Sequence, residues 1–380
     1  MLNCGDMFRR LRPEELLSLI VTAFAGLILA VTSSPASLSL SAAALHMLQY
    51  FTFGDPMFAI FFLAVWGAVG WKLFQGLNRL AQHHLIGPNL SSAESAKSEL
   101  KTVLEPLRLI WPLTLASVVL YALLDVMGMK VDAHTRDIWL NNLDQHLFGF
   151  SPFLHFPSVY QSPIFEILIE YAYLMLQGVI ALSLVIFLLL RQTTLIRKFI
   201  WCFLMSLTLG FPLFYAVPCQ DPNNFFIRNL RGHELPVAIQ TELNDYSPSS
   251  ETRTIIDKIQ TAETSIQNNN APISCFPSGH AMWSIFVVYF LAVLQPWTLA
   301  ISLPWLFCVL SGGVYFGQHY VVDYLMALPV ALLCIFTSNK LIYPADPQNL
   351  CNSGGCPSGP RARAWTRGSQ ASDVQTRSQP

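Results

Sequence analysis

Apolar runs of roughly 20 residues, long enough as helices to cross the hydrocarbon core of a bilayer, recur along this chain of 380 residues. The balance of residue types agrees. Hydrophobic residues make up 53% and charged residues 12%, where soluble domains carry about a quarter charged. The expected fold class is therefore all-α, a polytopic membrane helix bundle. A formal net charge of −1 supplies no global field for nucleic acid, and no such partner is expected.

Eight spans are expected, at about 15–34, 56–75, 107–128, 164–190, 198–217, 279–296, 298–316 and 320–338. Pro112 interrupts the third, which a membrane helix tolerates when its neighbours satisfy the freed carbonyl. Arg9, Arg10 and Arg12 precede the first run as in a leader, but no small-residue cleavage site follows, so the run reads as a retained anchor. Placing the N-terminus in the cytoplasm puts 16 of the 22 basic residues inside. Only Lys130, Arg136, Arg228, Arg231, Arg253 and Lys258 then lie outside, as the positive-inside rule requires. Both termini are cytoplasmic in this topology. The compact loops suggest a bacterial inner membrane, with the opposite face in the periplasm.

Three regions follow. Residues 1–129 hold N-terminal helices and a polar cytoplasmic link at 79–106, with the third helix opening the core. Residues 130–343 form that core, and residues 344–380, rich in Gly, Ser, Arg and Pro, read as a disordered cytoplasmic tail. Within the core, Ile138, Leu140, Leu143, Leu147 and Phe148 alternate with Asp137, Asn141, Asn142, Asp144 and Gln145. That pattern predicts a short helix lying at the interface and ending at Gly149 and Pro152. Trp139, Phe148, Phe150 and Phe153 suit the headgroup level. The largest polar insert is the external loop 218–274, whose second half, Asn244 to Asn270, is expected to cover or border a site. Cys219 and Cys275 open and close it, and pairing or two separate thiols are equally open. Cys202, Cys308 and Cys334 read as packing residues within spans, while Cys4, Cys351 and Cys356 face the reducing cytoplasm.

Two stretches carry chemistry: Cys275-Phe276-Pro277-Ser278-Gly279-His280 and Gly317-Gln318-His319-Tyr320-Val321-Val322-Asp323. His319 and Asp323, four apart at a helix start, share a face. Asp323 can accept from one imidazole nitrogen and leave the other free to act as nucleophile or base. Taken alone, the two read equally well as a structural pair. Ser278 suits the N-cap of the sixth span, and Gly279 lets backbone approach an anion held by first-turn N–H groups. His280 then stands beside the bound group, able to protonate a leaving alkoxide. Two histidines and a carboxylate on one side of the membrane suit phosphoryl transfer. The other histidines, His46, His83, His84, His134, His146, His155 and His233, show no ligand spacing.

Pro277-Ser278-Gly279-His280 with His319 and Asp323 resembles the phosphatidic acid phosphatase type 2 superfamily, over roughly residues 130–338. The resemblance implies a six-helix phosphatase-type core acting on a lipid phosphate or phospholipid in the membrane. It implies attack by His319 to give a phosphohistidine, orientation by Asp323, and protonation of the leaving group by His280. No metal or other cofactor is implied, and the oligomeric state is left open.

The pattern departs from the superfamily's phosphatases in two places. Ser-Arg usually stands seven and six residues before the nucleophile, where this chain has Gly312 and Gly313. A first motif of lysine followed by Arg-Pro is also missing; Arg228 and Arg231 are the nearest substitutes for binding phosphate, or else attract anionic headgroups. Gln318-His319-Tyr320-x-x-Asp323 and Leu143-Asp144-x-x-Leu147-Phe148-Gly149-x-x-Pro152 look like the inositol phosphorylceramide synthase-like group, which transfers a phospho-headgroup between lipids. By that likeness Asp144 belongs to the interfacial helix rather than the catalytic centre. The expected activity is a lipid phosphate phosphatase or phosphotransferase, with a headgroup transferase or a non-catalytic lipid-phosphate binding or transport protein as alternatives.

Overall fold

The computed structural model describes residues 11–32, 56–86, 100–101, 103–115, 135–229, 232, 234–266 and 276–343. Everything described there is helix or connecting loop, with no strand among the described residues. The elements, in order, are α1 (Pro13–Thr32), α2 (Pro56–Ile86), α3 (helical at 103–115), α4 (Asp137–Phe148), α5 (Pro152–Val159), α6 (Pro163–Leu174), α7 (Leu176–Leu189), α8 (Thr193–Ala216), α9 (Val237–Asp245), α10 (Ser250–Ile266), α11 (Gly279–Leu294), α12 (Leu299–Tyr315) and α13 (Val321–Leu341). Proline opens α1, α2, α5 and α6, where its fixed φ suits the first turn and its missing N–H costs nothing.

Among the described residues, three helical stretches are long and apolar enough to cross a membrane: Thr193–Ala216, Pro296–Tyr315 and Val321–Leu341. A fourth is added if α6 and α7 count as one span, since they meet at a 56° bend around Met175. The shorter α11 is apolar along its length and sits centrally, packing against α7, α8, α12 and α13. Phe199, Phe203, Phe286 and Phe290 interlock there with Leu176, Ile180, Ala331 and Cys334. At one end of the bundle, buried Glu14 and Glu15 pair with Arg197 and Arg108, each at 2.5 Å, and Arg12 pairs with Glu105 at 2.6 Å. These pairs gather the starts of α1, α3 and α8.

The insert after α8 is ordered into helices over much of its length. Half-buried Glu242 on α9 accepts from Gln145 Nε2 and Ser151 N, tying the insert to α4 and α5. The apolar face of α10 places Ile255, Ile256 and Ile259 with Ile169, Val309, Tyr315 and Phe316. Glu166 of α6, which is buried, lies 2.9 Å from the Tyr315 hydroxyl and accepts from Ser249 at 3.3 Å. Gln267 to Asn270, Cys275 with its pairing, and the tail from residue 344 onward lie outside the described residues.

The sequence reads 137–148 as a short interfacial helix with its aromatics at the headgroup level. In the structure Asp137, Asn141 and Asp144 are buried with Leu140, while Trp139, Leu147 and Phe148 are exposed. Around a membrane protein the outer surface meets lipid, so apolar side chains belong outside and polar ones seek partners in the protein. The helix does end where expected, at Gly149 with φ +82°, a left-handed conformation that glycine adopts without strain.

Candidate active site

The site forms where α11 and α13 begin. Ser278 caps α11, its Oγ accepting from Ala281 N at 3.2 Å. The same oxygen lies 3.2 Å from His319 Nε2, and His280 Nδ1 lies 3.3 Å from that nitrogen. On the other side of the ring, His319 Nδ1 is 3.3 Å from Asp323 Oδ2. Asp323 Oδ2 also accepts from Tyr320 N at 2.9 Å, closing a tight loop around the imidazole. Ser278, His319 and Asp323 are buried and His280 is partly so. The ring of Tyr173 stacks on His280 with centroids 4.7 Å apart. Five residues singled out in the sequence, Ser278, Gly279, His280, His319 and Asp323, thus converge within one small region.

The arginines do not join them. Arg228 is exposed on the turn that follows Asn223–Ile227, and Arg231 lies outside the described residues. Gly279 is not required by packing, since a Cβ there would make only ordinary contact with Trp283, at 3.5 Å. Lacking a side chain, it leaves the backbone of the helix start uncovered for an approaching anion.

Gly312 and Gly313 are explained by contact rather than by absence. A Cβ on Gly312 would lie 2.8 Å from the Ile169 carbonyl oxygen, and one on Gly313 would lie 2.1 Å from the Tyr324 hydroxyl. Gly313 O accepts from both Gln318 N and His319 N, at 2.8 and 3.0 Å, so this close-packed turn sets where His319 begins. The turn closes at Gly317, with φ +65°, against Asn223.

Sequence reasoning missed the residues behind α13. Asp144 accepts from Val321 N at 2.9 Å and Val322 N at 3.0 Å, and Asp137 Oδ1 accepts from the Tyr320 hydroxyl at 2.8 Å and Gln220 N at 2.9 Å. Burial pushes Asp137 up to about 7, opposed by its hydrogen bonds and reinforced by nearby Asp221. Burial likewise pushes Asp144 up to about 6, against the pull of its two backbone N–H groups. Around them, the side-chain amides of Asn141, Gln220 and Asn223 are buried and bond no described residue. A visible signal was there: polar residues at spacings of four, three and seven within 137–144, on a helix that also carries the exposed aromatics Trp139 and Phe148.

A histidine held by a carboxylate faces a second histidine at a capped helix start, an arrangement chemically able to carry out phosphoryl transfer. The chain belongs to the PAP2 superfamily, whose family model matches residues 138–337. That span takes in α4, both histidine motifs and most of α13. No curated protein and no solved structure matches the chain. Membership suggests a phosphatase-type enzyme acting on a lipid phosphate in the membrane.

Proposed function

We propose that the chain is an integral-membrane lipid phosphate phosphatase or phosphotransferase that works through a phosphohistidine on His319. The observation that carries this reading is the orientation of one ring: Nδ1 toward Asp323, Nε2 toward His280 and the cap of α11. With Asp323 ionised, the Nδ1–H tautomer is favoured and the Nε2 lone pair faces the place where phosphate would sit. His319 Nε2 attacks phosphorus and the bond to the leaving oxygen breaks as His280 donates its proton there. Water or an acceptor hydroxyl then attacks the phosphohistidine, giving its proton to His280 and restoring His319.

Eight spans with both termini inside remain our topology, placing the site at the extracytoplasmic face, in a bacterium the periplasmic side of the inner membrane. The ion pairs among Arg12, Glu14, Glu15, Glu105, Arg108 and Arg197 support it, because they gather the starts of the first, third and fifth expected spans at one end. His280 and His319, at the starts of the sixth and eighth, then fall at the other. Ser278 and Gly279 would contact the phosphate; Arg228 and Arg231 would act, if at all, as attractors of anionic headgroups at the rim.

A headgroup transferase of the inositol phosphorylceramide synthase type is the second reading, and one observation favours it. Packing closes the positions where Ser-Arg would stand, and a phosphodiester, with one negative charge, needs less cationic compensation than a monoester with two. The test is turnover by purified chain in detergent, with lipid phosphates alone and with paired donor and acceptor lipids. Phosphate release that is lost in His319→Ala supports the phosphatase. Product only when an acceptor is present supports the transferase. No acid-labile, alkali-stable phosphoenzyme and no product in either format would leave a binding or transport protein.

A further inference from the structure

A helix start leaves its first N–H groups without partners inside the helix, and such a start attracts anions. The catalytic segment contains two of these, at α11 and α13, and they are not equivalent. At α13 the amides around the start are occupied: Tyr320 N bonds Asp323, Val321 N and Val322 N bond Asp144, and Asp323 N bonds the Tyr320 carbonyl. Those carboxylates complement the helix dipole and repel an incoming phosphate. At α11 the only cap is the neutral Ser278 hydroxyl, which takes Ala281 N.

Asp144 reaches α13 from a different helix, 177 positions earlier in the chain. Two turns before it on the same face, Asp137 accepts from the Tyr320 hydroxyl. The backbone of Tyr320, Val321 and Val322 is the whole stretch between His319 and Asp323. Phe226 and Phe153 pack edge-on around the Tyr320 ring, so this contact is closed to water.

We propose that α4 is a positioning strut. Asp144, through two backbone amides, and Asp137, through Tyr320, fix the segment 320–322 and with it the direction in which His319 Nε2 faces phosphorus. This deepens the phosphohistidine reading and rests on it. It also assigns the anion to the start of α11 alone, since the start of α13 is filled from behind. Neither carboxylate touches substrate; both act through the nucleophile. The groups facing them are Asp323 and His319 on the α13 side, Asp221 on the turn after α8, and Tyr320 itself.

The experiment compares full-length wild type, Asp144→Asn, Asp144→Ala and Tyr320→Phe in detergent. It measures thermal unfolding together with kcat and KM for whichever lipid phosphate the wild type turns over. An asparagine keeps one acceptor oxygen, so Asp144→Asn should lose about 10-fold in kcat and Asp144→Ala about 100-fold, with KM nearly unchanged, as for a misplaced nucleophile. Tyr320→Phe, which keeps the ring and removes only the O–H, should lose several-fold in kcat while remaining folded. If the Asp144 variants do not fold, Tyr320→Phe decides. Activity per folded molecule equal to wild type would overturn the strut, as would a rise in KM at constant kcat, which would mean direct contact with substrate. A wild type that turns over no lipid in either assay format sinks the phosphoryl-transfer reading and the strut with it, whereas an active wild type with fully active variants sinks the strut alone.

Discussion

The starts of α11 and α13 look alike in the sequence, each a histidine at the mouth of an apolar helix. Their surroundings differ. The start of α11 has a hydroxyl cap, a glycine with room beside it and no carboxylate of its own. The start of α13 carries Asp323 inside it and Asp144 behind it, and its N–H groups are occupied. On the proposed mechanism, one start receives the anion and the other holds the base still. Phosphoryl transfer through histidine needs both, and a single kind of helix start could not serve both purposes. A helix N-terminus therefore attracts anions only where its amides are unclaimed.

The largest expected effect comes from breaking the α13 side at its centre. Asp323→Asn keeps the size of the side chain but offers the imidazole an amide in place of a carboxylate. The tautomer is then no longer fixed, and kcat should fall by about a thousandfold or more, in line with the loss when a triad carboxylate is neutralised. The fold should survive, because Asn can still accept from Tyr320 N. Unchanged kcat in a folded Asp323→Asn protein would mean that the pair is structural and that His319 is oriented by other means.

A smaller effect is expected from the turn that delivers His319. Gly313→Ser sets a Cβ into the Tyr324 hydroxyl, and either Tyr324 or the turn must move. Overpacking of this kind costs about 1–3 kcal/mol, and displacement of the Gly313 carbonyl would carry His319 N with it. Gly313→Ser should therefore lower both unfolding temperature and kcat. Combining it with Tyr324→Phe, which removes the clashing oxygen, should restore part of each. If the losses of the two single variants simply add in the double variant, the contact at 313 is not the cause.

The parts of the site that were legible in the sequence are those written locally. His319 and Asp323 are one helical turn apart, and Ser278-Gly279-His280 is a contiguous helix start, so spacing alone indicated what each could do. The role of Asp144 was not legible, because its partners are backbone amides far along the chain and backbone carries no residue-specific mark. Gly312-Gly313 read as a missing motif, whereas the structure fills the space with Tyr324 and the Ile169 carbonyl. Hydropathy located Thr193–Ala216, Pro296–Tyr315 and Val321–Leu341 closely. The bend at Met175 was not foreseen, and neither proline nor glycine stands there.

The last contrast concerns charge, and it again separates the two helix starts. Ser278 does not titrate in the working range, so its cap is indifferent to pH, while the α13 support contains buried carboxylates. Asp137 is raised by burial from 3.8 to about 7 in the folded chain. The folded state therefore holds a proton that the unfolded state has released between those values, and stability falls as pH rises from about 4 to about 7, then levels off. The slope for one such group is about 1.4 kcal/mol per pH unit. Asp137→Asn removes it. The bonds from Tyr320 and Gln220 are both accepted by Oδ1, so an amide oxygen in its place keeps them. The variant should be more stable than wild type above pH 7, with the advantage shrinking steadily as pH falls toward 5. Ser278→Ala, by contrast, should lower stability by about 1 kcal/mol at every pH. Unfolding curves for Asp137→Asn that run parallel to wild type from pH 5 to 8 would show that the carboxylate is not held at a raised pKa, and the contrast in charge between the two starts would have to be given up.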